Sequence, residues 1–360
     1  MRAAIFTEVD QPLVIEDVTL AEPGPSDVIV NIGASGVCHS DLSFMNGTVP
    51  FPPPAILGHE GAGVVEWVGS EVTRVKVGDR VVASFVPACG TCFWCLNDQS
   101  NLCGRMFELS LAPKAHRHDG TPCAGVTGLG TFAEQVLANE ASMVKVETDL
   151  PDEQLALIGC GVTTGVGAAL NTAQVRPGST VAVIGCGGVG QAVIQGARIA
   201  GASRIFAIDP VALKRTSAAA FGATDLIDPA DGDPTAQVMA ATGGIGVDYA
   251  FEVIGLPETI VQAYMTARRG GHVVVVGMPR ADSAVTLPGF PLFYDEKHLH
   301  GCVYGSAQVR RDFPRFISLI ETGRLDVGSM VSQTIALDGV NDAFGAMQRG
   351  EVLRSVITSM

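Results

Sequence analysis

Basic residues are scarce in this 360-residue chain: 23 Lys and Arg stand against 37 Asp and Glu, a formal charge of −14. That balance argues against nucleic acid or an anionic membrane as partner, since both need a basic face. Long apolar runs are also missing. The longest are broken by Gly, Arg or Asp, so no stretch is read as a membrane span. A secretory leader is not expected, because the start, Met1-Arg2-Ala3-Ala4-Ile5-Phe6-Thr7-Glu8, places a charge where an apolar core should begin. A complete disulfide framework is not expected either. The nine cysteines are an odd number, and in a cytoplasmic protein thiols read better as metal ligands or small buried apolar groups.

What is present is a hydrophobic content of 47% and 43 glycines, the texture of a loop-rich α/β protein long enough for two domains. Up to about residue 150 the chain alternates short β-type runs with turns, among them Val28-Ile29-Val30-Asn31-Ile32 and Ala62-Gly63-Val64-Val65, which predicts a small barrel-like domain. The only helical hint there is a turn around Ser40 to Met45. Within this region Cys38-His39-Ser40-Asp41 and Gly58-His59-Glu60 place a thiol and an imidazole in glycine-flanked turns, each closely followed by a carboxylate. Zinc prefers such ligands, and carboxylates commonly orient them. Two unrelated buried residues would read the same way, so a third ligand is needed. Gly159-Cys160-Gly161, on or just beyond a helix opened by Pro151-Asp152-Glu153, offers one. A Cys/His/Cys set leaves the fourth zinc position open for substrate.

The sharpest local signal is Cys89-Gly90-Thr91-Cys92-Phe93-Trp94-Cys95 followed by Cys103. Four thiolates this close can close a tetrahedron around one structural zinc; two disulfides or an empty lobe are the other readings. Such a site does no chemistry and fixes a loop. His116 and His118 lie in a charged loop and read as solvated.

A different texture begins near Pro177-Gly178. Thr180-Val181-Ala182-Val183-Ile184 reads as a strand buried on both faces, and it leads into Gly185-Cys186-Gly187-Gly188-Val189-Gly190 and a helix. A second strand ends in Asp209, nineteen residues beyond Gly190. This is the dinucleotide fingerprint in its required context. Gly185 permits the tight turn, Gly187 the approach of the pyrophosphate, and Gly190 the packing of helix on sheet. Asp209 can bind both ribose hydroxyls of NAD and repel the extra phosphate of NADP.

In this order the motifs resemble those of the zinc-containing alcohol dehydrogenases of the medium-chain dehydrogenase/reductase superfamily, and the resemblance covers essentially the whole chain. It implies a GroES-like β-barrel catalytic domain over residues 1–161, a doubly wound parallel-sheet Rossmann domain over 162–303, and a return to the first domain over 304–360. It further implies catalytic zinc on Cys38, His59 and Cys160, with Glu60 behind the metal, Asp41 orienting His59 and Ser40 accepting the alcohol proton. Structural zinc would sit on Cys89, Cys92, Cys95 and Cys103. Thr164 would pack against the nicotinamide and Lys214 would contact the adenosine ribose, while His39 and Arg354 would contact the pyrophosphate. Gly185, Gly187, Gly188, Val189 and Gly190, with Asp209, Val253, Val276 and Met278, would complete the cofactor site. Phe85, Val126 and Thr127 would line a roomy apolar substrate pocket. The expected activity is reversible oxidation of primary aliphatic or aryl-alkyl alcohols with NAD. A thiol-adduct-dependent formaldehyde dehydrogenase of the same family is the alternative, and a non-catalytic NAD-binding redox sensor stands outside the class. Relatives are dimers or tetramers, and the apolar stretch from Leu287 to Tyr304 suits such a contact, a dimer being favoured over a tetramer. Two positions depart from the pattern. Ser43 stands where many relatives carry a proton-relaying histidine, which implies a hydroxyl-and-water relay. His39 stands where some carry arginine, which implies a cofactor grip that weakens as His39 loses its proton.

Overall fold

A computed structural model describes all 360 residues. The chain forms two compact units. The first comprises Met1–Cys160, Gln308–Gly323 and Val327–Met360; the second comprises Gly161–Ala307 with Arg324–Asp326. The sequence motifs place the divisions at 161/162 and 303/304, close to these bounds.

The first unit is built from two sheets. One runs Val14–Asp17, Arg2–Phe6, Ala55–Ile56, Pro122–Gly125, Ala115–His116, Thr19–Leu20. The other runs Met143–Lys145, Arg80–Ala83, Gly61–Val68, Asp27–Val37, Arg354–Ser359, Val331–Ala336, with Gln135–Asn139 also paired to Asp27–Val37. In Asp27–Val37 the alternation puts Val28, Val30 and Ile32 inward while Asn31 faces out. That strand organises the unit. Its far end pairs antiparallel with Arg354–Ser359, setting Val37 opposite Ser355, so the C-terminal strand arrives beside Cys38. The turn expected at Ser40 to Met45 is a helix over His39–Met45.

The second unit has a six-stranded, wholly parallel sheet in the order Asp225–Ile227, Arg204–Ile208, Thr180–Ile184, Val247–Glu252, Ala267–Val275, His298–Gly301. Strand and helix alternate through it, the doubly wound arrangement, with the order reversing beside Thr180–Ile184. Phe206 and Phe251 are fully buried, each worth roughly 1.5–3 kcal/mol in removed apolar surface.

One expectation needs correcting. The segment Asp152–Thr172 is a continuous 21-residue helix, long and apolar enough to cross a membrane, although its most apolar window is 83% buried within the fold. Glycines 159, 161, 165 and 167 do not interrupt it. Gly159 and Gly161 fall where Ile158–Val162 widens to π-helix, Gly165 and Gly167 lie in the ordinary helical turn Thr163–Gly167, and a second π-turn follows at Ala168–Thr172. It has the character of a core helix.

Candidate active site and metal centres

Cys38 follows directly on the long strand Asp27–Val37 and caps the helix His39–Met45. His59 follows Gly58, whose backbone is left-handed (φ +87°) and pressed against Phe132 and Thr131, so no other residue fits that turn. Cys160 lies in the first π-turn of the long helix, a distortion that often marks functional positions. These three residues and Glu60 bring one donor atom each within 4.8 Å of one another, all four buried. His59 Nδ1 lies 3.1 Å from Asp41 Oδ1, while its buried Nε2 has no hydrogen-bond partner. An imidazole held at one nitrogen, with the other bare among two sulfurs, is the arrangement of a zinc ligand. The residues fit the metal.

Asp41 is wholly buried and its carboxylate ties both turns together. Oδ1 also accepts the Gly58 N–H at 3.0 Å, and Oδ2 accepts the Cys38 N–H at 3.2 Å. Behind the cluster Glu60 bonds to the guanidinium of Arg354, both buried. Gly36 makes room for this pair, since a side chain there would collide with Glu60 and lie 3.1 Å from Arg354 Nη2. Bonding to Cys160 draws the Cys38 thiol well below its usual range against the effect of burial, helped by His59 and Arg354. The same contact, with burial, pushes Cys160 well above it. Burial opposes a charged His59, yet Asp41 and Cys38 outweigh it and raise its titration well above normal. Burial pushes Glu60 up to about 7 even against Arg354. Metal binding at this centre therefore has to displace protons.

The four-cysteine lobe is assembled as its spacing implied. Sγ of Cys89 and Cys95 are 3.9 Å apart, as are those of Cys92 and Cys103, and all four thiols are free. Four sulfurs about 2.3 Å from a central ion would be separated by about 3.8 Å. The residues fit a closed tetrahedral zinc site. Burial works against a Cys89 thiolate, but N–H donation from Thr91 and Cys92 to its sulfur, at 3.4 and 3.3 Å, lowers its pKa to about 6. Backbone N–H groups of Cys95 and Gly104 lower Cys92. Burial pushes Cys95 up to about 12 and also raises Cys103.

Other expected positions fall as follows. Ser40 is half-buried, its Oγ 3.8 Å from Cys38 Sγ. Ser43 is buried and donates its hydroxyl back to the His39 carbonyl at 3.2 Å, while the His39 residue is exposed. Phe85 meets the His59 ring edge-on at 5.8 Å between centroids, which puts it at the metal cluster. Val126 does not line a pocket: it is fully buried in the core with Leu42, Leu57 and Phe132. Thr127 next to it takes a left-handed conformation and turns its hydroxyl onto the Val126 carbonyl. Arg354, expected at the pyrophosphate, is buried on its strand and bonded to Glu60.

In the second unit the glycine loop has the expected form. Gly185 has φ +92°, a side chain at Gly190 would strike the Gly185 carbonyl, and a Cβ at Gly187 would meet nothing within 4 Å. Gly187 caps the helix Gly188–Ile199, which includes Val189, so the open space lies at a helix N-terminus suited to phosphate. Asp209 is only 4% exposed and already accepts N–H bonds from Cys186 and Val211, both at 2.8 Å. Each carboxylate oxygen can accept a second bond. Val253, Val276, Thr164 and Lys214 are half-buried and Met278 is exposed.

Two family models match the chain, the alcohol dehydrogenase GroES-like domain over residues 24–148 and the zinc-binding dehydrogenase over residues 188–322. An S-(hydroxymethyl)glutathione dehydrogenase of Synechocystis sp. is 39% identical over 99% of both chains. The chain belongs to the zinc-containing alcohol dehydrogenases of the medium-chain dehydrogenase/reductase superfamily. Among solved members of this dehydrogenase fold, benzyl alcohol dehydrogenase from Acinetobacter calcoaceticus is 30% identical with a TM-score of 0.93, covering 100% of this chain and 99% of that one. A structure from Sinorhizobium meliloti with NADP bound is 29% identical with a TM-score of 0.82, covering 99% and 98%.

Proposed function

We propose that the protein oxidises primary aliphatic or aryl-alkyl alcohols to aldehydes, reversibly, passing the hydride to NAD. The observation that carries the reading is the buried Cys38, His59 and Cys160 set, with the orphaned Nε2 of His59 among the sulfurs. A zinc ion there would act as a Lewis acid and make an alcohol O–H more acidic. Asp41 holds the His59 ring in place for that ligation. Ser40, beside Cys38, takes the alcohol proton. Because the Ser43 hydroxyl is tied to the His39 carbonyl, the proton leaves Ser40 through water. Phe85, against His59, gives aryl substrates a ring edge to pack on.

The loop Gly185–Gly190 receives the cofactor phosphates. The charge of Asp209 favours NAD over NADP, and Asp209→Ser should raise the ratio of NADP to NAD turnover by at least about tenfold. An unchanged ratio would place the selectivity elsewhere. Two zinc ions per chain are proposed, one at each centre. Exposed Phe290, Phe293, Tyr294 and Leu299, at and before the edge strand His298–Gly301, are proposed as the contact of a homodimer.

The second reading, oxidation of a thiol adduct of formaldehyde, is favoured by the Synechocystis relative. One assay separates the two. Benzyl alcohol and hexanol are compared with formaldehyde, each with and without glutathione, at alkaline pH with NAD. Turnover of the free alcohols, indifferent to glutathione, supports the first reading; formaldehyde oxidation that requires glutathione, with little alcohol turnover, supports the second.

A further inference from the structure

Beside the four-cysteine lobe two grooves of about 380 and 450 Å³ share one wall, Arg310. The first is lined by Gly90, Cys95 and Ser100 from the lobe and by Arg310 and Arg311. Arg74 and Lys145 line the second. Four cations in one patch are conspicuous in a chain carrying 37 acidic residues and only 23 Lys and Arg. Two of them have ordinary partners: Arg311 is paired with Asp312, and Lys145 with Asp79 and Glu147.

Arg74 and Arg310 have none. Both direct a guanidinium nitrogen at the same acceptor, the Ala88 carbonyl, at 3.3 and 3.4 Å. Their other contacts are also carbonyls, Cys89 for Arg74 at 3.3 Å and Ala141 for Arg310 at 3.4 Å. The carboxylate in their neighbourhood, Glu140, accepts the backbone N–H groups of Thr73 and Arg74 instead. Arg310 is moreover the second residue of the helix Val309–Glu321, where the macrodipole disfavours a cation. Two like charges thus converge against local preference, with no salt bridge to balance them and Glu140 acting on Arg310 only from beyond contact distance.

The balancing charge is available next door. Four thiolates and one divalent ion sum to −2, and the two guanidiniums sum to +2. Arg74 reaches the backbone of Cys89 itself, and Arg310 shares its groove with Cys95. We propose that Arg74 and Arg310 are the counter-charges of the tetrathiolate zinc centre, placed to hold its net negative charge and so to slow loss of the metal. The proposal rests on the reading of Cys89, Cys92, Cys95 and Cys103 as a zinc site. The pair acts on the metal through the thiolates and takes no part in turnover.

The test is zinc release into a chromogenic chelator from Arg74→Gln, Arg310→Gln, the double variant, and Arg74→Lys with Arg310→Lys. It is followed together with hydrogen exchange over residues 89–103, which assigns the released ion to the lobe. Exposed charge pairs are individually weak, so each Gln variant should release lobe zinc roughly two- to fivefold faster and the double variant about tenfold faster. The Lys variants, which keep the charge, should stay near the wild-type rate. Wild-type rates in the double Gln variant overturn the assignment, as do Lys variants that lose zinc as fast as Gln ones. Should the double variant not fold, the single Gln and Lys variants decide by the same comparison. Phosphate that binds the grooves saturably, abolished by Arg310→Gln without change in zinc release, would also overturn it. A wild-type lobe with no zinc defeats the zinc reading itself, whereas a loaded lobe indifferent to both arginines defeats only the charge assignment.

Discussion

The two cysteine centres obey opposite design rules. The lobe at 89–103 draws all four cysteines from fifteen consecutive residues, stands half-exposed, and steadies its sulfurs with backbone N–H groups of its own turns. The other centre gathers Cys38, His59 and Cys160 across more than 120 positions, buries them completely, and orients them with the distant side chains Asp41, Glu60 and Arg354. A closed set of identical ligands needs only a local loop. A mixed set drawn from distant parts of the chain needs a scaffold that fixes each donor separately, because no local loop spaces the donors.

That contrast can be broken by substitution. The largest effect is expected from Cys160→Ala, which should lower turnover roughly a thousandfold or more while the lobe keeps its zinc and NAD still binds. Retained turnover would remove Cys160 from the ligand set. Asp41→Asn should weaken zinc at the assembled centre by about 10- to 100-fold in a competition titration, the usual cost of losing a ligand's orienting partner. Affinity equal to wild type would mean that the bonds to His59, Gly58 and Cys38 are incidental. The lobe should answer in the other currency. Cys103→Ser should lower the melting temperature by roughly 4 °C or more, with the alcohol turnover of the folded enzyme changed by no more than about threefold. A collapse of turnover at unchanged stability would reverse the roles given to the two centres.

The same contrast explains what the sequence disclosed. The lobe was legible because its ligands share one loop and their spacing is the geometry. The glycine loop was legible for a similar reason: Gly185, Gly187 and Gly190 each answer to a local backbone demand that the fold satisfies in place. The assembled centre was legible only in its ligand types and order. The inward turn of Arg354 onto Glu60 depends on the pairing of Ser355 with Val37, a contact between the two ends of the chain that no local pattern encodes. Gly36 was visible only as a glycine beside Cys38, although it is what makes room for that ion pair. Val126 was misplaced because an apolar residue reads alike in a pocket wall and in a core. Ser43 was noticed for its departure from the family, yet its bond to the His39 carbonyl is a choice of rotamer that sequence does not record. The long helix is longer than its glycines suggest, because Gly159 and Gly161 sit in a π-turn and Gly165 and Gly167 in ordinary helix without ending it.

The central claim is that one chain carries two chemically distinct zinc centres. Metal content combined with zinc-edge X-ray absorption on the purified protein tests it most directly. The account predicts two zinc per chain and an average shell of about three sulfurs per zinc at about 2.3 Å, completed by nitrogen or oxygen near 2.0 Å. One zinc per chain in a shell of four sulfurs would contradict it, leaving Cys38, His59 and Cys160 as a buried cluster without its metal.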